Sequence, residues 1–418
     1  MNLFIKSATI IDSQSDFNSK TLDIVVENGI ITKIGQNLKN TKSYKEVSLP
    51  DLHISPGWFD PSVNFGEPGY EERETIENGL QCAALSGFTS VGLNTNSSPA
   101  PESGSDLSYL YLKSAKAATS LLAYGSLTQK SEGLHLAELF DMHKEGAIAF
   151  SDYKKPIDNA NLLKIALQYA KGFNGLVCST PLDNSVAKKG VVNEGKTSTQ
   201  LGLKGIPKLA EELRVSRDIH LAKYTKGKLH IPCISTEDSV AMIREAKSNG
   251  VDISCSVAVH NIILDDSKLH SFDTKYKVNP PLRLPKDCEA LKDGLKDGTI
   301  DMITSDHNPM DIEHKKKEFE HASYGTVGLE SAYPALNTLF TTKQIVKFLT
   351  RGRKRFGLDT PTIAEGEKLE VTLFSPNSKY QFEEANIASK SKNSIFIGEQ
   401  VKGKVYGIYA NKKLKLNS

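Results

Sequence analysis

The sequence predicts an α/β protein in which a (β/α)₈ TIM-like barrel carries a small β domain formed by both ends of the chain. Three observations predict it. The middle of the chain alternates short apolar runs with helical periodicity, which is typical of βα units around a parallel sheet. Both ends contain β-branched and aromatic runs separated by Gly, Asn and Ser. The length of 418 residues suits one large domain with an accessory domain.

The two ends of the chain predict the β domain. A hairpin turn at Glu27-Asn-Gly29 joins two of its strands. The predicted strands cover residues 2–11, 22–35, 369–374, 394–397 and 401–409. We therefore predict a β domain of residues 1–52 with 366–418, and a barrel of residues 53–365 inserted between them.

The central segment predicts eight βα units. One strand precedes Asp60, and the others cover residues 88–93, 121–124, 147–150, 175–178, 228–232, 252–257 and 300–304. Helical periodicity lies between them at residues 74–86, 136–144, 161–171, 207–224, 237–248 and 287–295. Eight units in about 290 residues fit a barrel, which typically needs ~250 residues.

Composition narrows the class of protein. A net charge of +2 and a pI near 8.1 argue neither for nor against a nucleic-acid partner. No apolar run approaches the ~18–20 residues that span a bilayer, and the first residues do not resemble a signal peptide. Five cysteines without CxxC spacing indicate reduced thiols. We predict a cytoplasmic protein with neither a membrane nor a nucleic acid as partner.

The ends of the predicted strands are polar but contain few metal ligands. In such barrels chemistry lies at the carboxyl ends of the strands. After the first strand, Ser62 and Asn64 share one face of the extended chain. A catalytic zinc site needs several imidazoles and carboxylates with one position open for water. The residues that could serve are Asp152, Cys178, Cys233, His260, Asp306 and His307.

Asp306 directly follows the eighth predicted strand. At this position it could be the general base that takes the proton of an attacking water. An aspartate there could equally cap the next helix or turn. Both interpretations stay open at the level of sequence.

Several motifs together resemble the dihydroorotase family of the amidohydrolase superfamily, nearly from end to end. They are Pro56-Gly-Trp-Phe-Asp60, Glu67-Pro-Gly69, Ala147-Ile-Ala-Phe-Ser-Asp152, Lys277-Val-Asn-Pro-Pro-Leu-Arg283, Asp297-Gly-Thr-Ile-Asp301, Thr304-Ser-Asp-His307 and Gly325-Thr-Val-Gly-Leu-Glu330. The resemblance implies a barrel with a β domain. It also implies hydrolysis or closure of a cyclic amide in pyrimidine biosynthesis.

Much of the family's site is missing from the matching positions. By resemblance, the two histidines of the first motif fall on Ser62 and Asn64, and the arginine for the substrate carboxylate falls on Gly66. The histidines that close strands five and six fall on Thr180 and Cys233. Ser and Asn are weak zinc ligands beside imidazole, and glycine has no side chain to pair with a carboxylate.

Other positions keep the family's residue types. By resemblance, Asp152 lies near the metal-bridging carboxylate, and Asp306 matches the general base and metal ligand. Asn94, Asn279 and His307 match positions that contact substrate. The preserved scaffold and residue types therefore favour the activity of the family, whereas the altered site argues against it.

Two functional hypotheses follow. The first is a non-catalytic dihydroorotase homologue without a cofactor, a structural or regulatory partner of aspartate transcarbamoylase, with a homo-oligomer also open. The second is an active dihydroorotase or other cyclic amidohydrolase. Its remodelled zinc site would use Cys178, Cys233, His260 and Asp306. Whether the chain is an enzyme stays open at this point.

A basic run, His314-Lys-Lys-Lys317, follows the eighth predicted strand. The resemblance places it in a mobile loop over the barrel mouth. There it could attract an anion, but a solvated run of charges is the favoured interpretation.

Overall fold

The computed structural model describes residues 1–417 and confirms the predicted fold class, a TIM-like barrel with a β domain. The strands are β1 (Leu3–Ile10), β2 (Thr21–Glu27), β3 (Ile30–Gly35), β4 (Lys45–Val47), β5 (His53–Pro56), β6 (Trp58–Val63), β7 (Phe88–Leu93), β8 (Ser120–Ala123), β9 (Leu176–Cys178), β10 (Val192–Asn193), β11 (Gly205–Ile206), β12 (Lys228–Ile231), β13 (Ile253–Ala258), β14 (Met302–Thr304), β15 (Val371–Gln381), β16 (Gln400–Ala410) and β17 (Lys413–Leu416).

Each of the six predicted helical stretches corresponds to a helix, and the other helices lie outside the predicted stretches. They are α1 (Ile76–Leu85), α2 (Gly104–Ser114), α3 (Leu139–Lys144), α4 (Ala160–Lys171), α5 (Asn184–Ala187), α6 (Lys196–Leu201), α7 (Leu209–Thr225), α8 (Glu237–Ser248), α9 (Val259–Ile263), α10 (Pro285–Asp297), α11 (Ile312–Lys315), α12 (Leu329–Leu336) and α13 (Thr342–Thr350). Helix α8 begins where predicted, because the Thr236 side chain accepts from the Ser239 amide and caps its first turn. Among the helices of residues 1–417, none is long and apolar enough to cross a bilayer.

Both ends of the chain contribute to one sheet of order β17-β16-β15-β5-β1-β2-β3, with β4 paired to β1. Strand β5 joins the two ends, since it pairs with β1 in parallel and with β15 in antiparallel register. The boundaries proposed for the two domains stay a prediction, and Ser418 lies outside the described residues.

The barrel is built from two parallel sheets. One has the order β6-β7-β8 and the other the order β14-β13-β12-β9. Phe150 bridges to Gly125 on one side and Val177 on the other, and a bridge between Val63 and His307 closes the ring. The ends of the first and eighth barrel strands are therefore adjacent, which brings residues 60–64 against residues 304–307.

Two predicted strands were wrong. Residues 147–150 form only the bridges at Phe150. Residues 394–397 form a turn, although Ile395 and Phe396 are buried. Their apolar side chains pack into the barrel core, and the Ile395 amide donates to Thr326 Oγ1 at 2.8 Å. Burial against the barrel produced the same apolar pattern that a strand would have.

Candidate functional site

A cavity of about 50 Å³ lies at the carboxyl ends of the barrel strands. Since one water needs ~10–15 Å³, the cavity has room for only a few waters, far below the ~150 Å³ that accommodates benzene. Its apolar wall includes Pro61, Pro181, Leu182, Pro232, Pro280 and Pro281. Its polar wall includes Ser62, Asn94, Tyr153, Lys154, Thr180, Glu211, Asn279 and Arg283. The candidate residues Ser62, Asn94, Thr180 and Asn279 therefore meet at one cavity.

The first two barrel strands end in side chains that bond within the protein. Asn94 Nδ2 donates to Ser62 Oγ at 2.9 Å and to the Val63 carbonyl at 3.2 Å. Asn64 Nδ2 reaches the His307 carbonyl at 3.5 Å, and its Oδ1 is buried with no partner among the described residues. Ser62 and Asn64 thus join strand ends rather than form a cluster of ligands.

Asp60 fastens the first strand to the eighth. Its carboxylate accepts from Thr304 Oγ1 at 2.6 Å and from the amides of Ser305 and Ser62, both at 3.0 Å. The side chain is buried, and burial raises the pKa of Asp60 to about 6 against these hydrogen bonds. Its bonds are structural, because they hold the edges of the two sheets together.

Asp152 binds a loop rather than the cavity. Its Oδ1 accepts from the amides of Leu127 and Thr128 at 2.9 and 3.0 Å, and its Oδ2 accepts from the Thr128 hydroxyl. Asp152 is buried, and burial raises its pKa. Both carboxylate oxygens are thus engaged in holding residues 127–128.

Asp306 is paired with a lysine that the sequence analysis missed. Lys154 Nζ lies 2.9 Å from Asp306 Oδ2, and the Tyr153 hydroxyl lies 3.5 Å from Asp306 Oδ1. Burial opposes the charge on Lys154, but Asp306, Tyr153 and Cys233 together outweigh it and raise the pKa of the lysine. Burial also raises the pKa of Asp306, although Lys154 lowers it. The only sequence signal was a lysine two residues beyond Asp152 at the end of a predicted strand.

The two candidate histidines are buried and neutral. Burial lowers the pKa of His260 to about 3 and that of His307 to about 4. His307 Nδ1 accepts from the amides of Gly328 and Leu329 at 3.3 and 3.5 Å. The Nε2 atoms of both rings have no partner among the described residues, and neither ring lines the cavity.

The two candidate thiols do line the cavity. Cys178 and Cys233 are buried, and burial raises the pKa of both, so they are protonated near neutral pH. Cys233 follows β12 and has a left-handed backbone with φ +51°.

These donors do not fit a zinc ion. Within residues 1–417 no three His, Cys, Asp or Glu side chains converge in a group that could hold a metal. Asp152 is bonded to its loop and Asp306 to Lys154, so neither carboxylate is free to bind a metal. A zinc site needs deprotonated ligands that point at one centre, with a position open for water.

Gly66 has no room for a larger residue. Its φ of +88° belongs to the left-handed region, and a Cβ there would lie 2.5 Å from the Tyr70 carbonyl oxygen. The chain therefore has a backbone at this position that arginine could not adopt without a shift of the loop.

The basic run at residues 314–317 is not wholly solvated, so that interpretation was wrong for Lys315. This side chain is buried and donates to the carbonyls of Lys277, Ser323 and Gly325 at 3.0, 3.1 and 2.8 Å. The lysine fastens the loop after the eighth strand, while Lys316 and Lys317 remain exposed.

Comparison with known proteins shows clear relatives. The family described as "Dihydro-orotase-like" matches residues 52–239. "Dihydroorotase" of Geotalea daltonii is 38% identical over 410 residues, 96% of this chain and 96% of the relative. That of Pelotomaculum thermopropionicum is also 38% identical, with 96% of each chain covered.

Solved structures of lower identity share the fold. L-hydantoinase from Arthrobacter aurescens is 19% identical with a TM-score of 0.84, covering 100% of this chain and 98% of that one. Dihydropyrimidinase from Brevibacillus agri is 21% identical with a TM-score of 0.81, covering 99% and 96%.

Proposed function

We propose that this chain, which belongs to the dihydroorotase family, no longer hydrolyses cyclic amides and acts as a structural or regulatory partner in pyrimidine biosynthesis. One observation carries the proposal. The polar side chains at the barrel mouth bond to one another: Asn94 to Ser62, Asp152 to Thr128 and Lys154 to Asp306. A working hydrolase would direct such groups at water and substrate.

The chemistry of the reaction supports this proposal. Opening a cyclic amide near neutral pH needs an activated water, which a metal provides by lowering the pKa of its bound water to ~7. Among residues 1–417 no donors converge on a metal. Lys154 already pairs with Asp306, whereas a general base would need a free carboxylate. Several parts of the mechanism are absent together, so no single replacement would restore it.

The partner we propose is aspartate transcarbamoylase. The resemblance to the family implies this partner, because catalytically silent members of the family help to assemble that enzyme. This chain likewise keeps the barrel and the β domain around an altered site. The match to the Geotalea daltonii relative covers 96% of each chain, so it includes both the barrel and most of the β domain. We expect the two proteins to co-purify when they are produced together from the same organism, and separate elution at micromolar concentration would contradict the partnership.

The test of the catalytic proposal is a paired measurement on the untagged protein. Zinc content is measured by plasma mass spectrometry. Turnover is measured both as hydrolysis of dihydroorotate and as closure of its ring-opened product. The Geotalea daltonii relative, prepared identically, is the positive control. We expect no turnover above background and less than about a tenth of an equivalent of zinc, whereas turnover that scales with bound zinc would overturn the proposal.

A second hypothesis, an active hydrolase with a remodelled site, has one observation in its favour. Cys178 and Cys233 both line the cavity at the strand ends. If they bind zinc, the metal must displace their protons, and Cys233→Ser must lose both metal and turnover. Cys288→Ser is the matched control, because Cys288 is buried but donates instead to the Leu264 carbonyl at 3.6 Å.

A further inference from the structure

We infer that the ammonium group of Lys154 is a built-in cation that serves as the permanent counter-charge of the barrel mouth, where a hydrolase of this fold would use a metal ion. The inference concerns the same site as the proposed function and deepens it. The pair of Lys154 and Asp306 would hold the altered site together whether or not the protein is active.

The ion pair crosses the mouth of the barrel. Lys154 follows Phe150, which bridges in the fourth strand position between β8 and β9, and Asp306 follows the eighth strand, β14. Fourth and eighth positions lie opposite each other in an eight-membered ring. The 2.9 Å contact between Lys154 Nζ and Asp306 Oδ2 therefore ties opposite walls together, over 152 residues of sequence.

Burial makes a cation necessary here. The side chain of Asp306 is 2% exposed and that of Lys154 is 18% exposed. A carboxylate removed from water is strongly unfavourable unless a cation or several hydrogen bonds compensate for the lost hydration. Apart from Lys154, the Asp306 carboxylate has within residues 1–417 only the long contact to the Tyr153 hydroxyl, so the lysine supplies most of the compensation.

The backbone at this site supports the same conclusion. Lys154, Cys233 and Asp306 have φ values of +53°, +51° and +48°. The left-handed region is unfavourable for residues other than glycine, and such residues persist where their surroundings hold them. Two of them, Lys154 and Asp306, form the ion pair itself, and Cys233 lines the same cavity as Lys154.

Removal of the Lys154 side chain should leave a cavity of defined shape beside Asp306. Lys154→Ala deletes Cγ, Cδ, Cε and Nζ, which are the heavy atoms of n-propylammonium. A free propylammonium ion should therefore fit the space and restore the counter-charge, while a zinc ion would find the same scattered donors as before.

The experiment compares thermal unfolding of Lys154→Ala with that of Lys155→Ala, a matched control because Lys155 is exposed. We expect Lys154→Ala to melt about 3–6 °C below the control, and Asp306→Asn added to it to recover at least half of the loss. Propylammonium chloride should raise the melting temperature of Lys154→Ala more than sodium chloride at the same concentration does. In the Lys155→Ala control the two salts should have the same effect. Zinc chloride should raise neither.

Equal melting of the two alanine variants would overturn the inference, as would one equivalent of zinc that stabilises the wild-type protein. If Lys154→Ala does not fold, folding of Lys154→Ala/Asp306→Asn supports the inference and failure of the double variant contradicts it. The turnover assay is independent of these melting measurements. If the protein is active and the variants melt as expected, only the proposed function is overturned. If the protein is inactive and the variants do not melt as expected, only the role of Lys154 as a built-in cation is overturned.

Discussion

Asn94 donates a hydrogen bond to Ser62 at 2.9 Å, and this bond links the ends of the first and second barrel strands at the wall of the cavity. The Ser62 hydroxyl is therefore committed to a neighbouring strand. The same applies to Asp152 and its loop, and to Asp306 and Lys154. The barrel mouth of this protein is stabilised by contacts between its own side chains.

Returning the two missing histidines should not return activity. We expect Ser62→His/Asn64→His to show no dihydroorotate turnover, because Asp306 would stay paired with Lys154 and Gly66 would still lack a guanidinium. The measurement is turnover with added zinc, and the Geotalea daltonii relative is the control for assay sensitivity. Turnover above that of the wild-type chain would show that the histidines alone were missing.

Gly66→Ala should destabilise the protein more than Gly366→Ala. Both glycines have left-handed backbones, with φ values of +88° and +90°. A Cβ at Gly66 would lie 2.5 Å from the Tyr70 carbonyl oxygen, whereas a Cβ at Gly366 meets nothing within 4 Å. We expect an extra loss of about 1–3 kcal/mol in the free energy of unfolding, measured with urea. Equal losses would mean that the loop at Tyr70 shifts freely.

Buried His260 should make the protein sensitive to acid. Its pKa of about 3 lies below the ~6.5 of an exposed histidine, so between these values the unfolded chain binds a proton that the folded chain does not. Stability contributed at neutral pH is therefore lost as the pH falls. Relative to His260→Gln, the wild-type free energy of unfolding should fall by about 1.4 kcal/mol per pH unit from pH 6 to pH 4.

The control for this prediction is His220→Gln, since His220 is exposed on α7. We expect its free energy of unfolding to follow the wild-type value throughout the titration. Parallel curves for wild type and His260→Gln over the same range would show that His260 is hydrated in solution.

Lys315→Met should loosen the loop of residues 312–325. The Lys315 amine donates to three carbonyls inside the loop and beside it. Burial lowers its pKa to about 7, so near neutral pH the donor is partly neutral, and each hydrogen bond contributes between the ~0.5–1.5 kcal/mol of a neutral donor and the ~1.5–3 kcal/mol of a charged one. We expect amide hydrogen exchange in this loop to accelerate at least about tenfold, since tenfold corresponds to ~1.4 kcal/mol. Lys316→Met is the matched control because Lys316 is exposed. Similar exchange in both variants would contradict the anchoring role.

Much of this site could be predicted from local sequence. The period-two pattern placed Ser62 and Asn64 on one face at a strand end. The resemblance to the family, rather than the pattern, implies that these two positions lack histidines. What local pattern could not predict is the direction of each side chain. Asp152 keeps the expected residue type, yet its carboxylate binds the amides of Leu127 and Thr128.

The sequence by itself determined the fold class, because hydrophobic periodicity and turn residues act over a few neighbouring residues and each βα unit repeats them. It also determined that the ligands for a metal would be few. Only the tertiary structure decided that Lys154 meets Asp306, that residues 394–397 pack as a turn and that Lys315 is buried. These outcomes depend on backbone angles at single residues and on contacts between segments far apart in the chain, for which a local pattern carries no information.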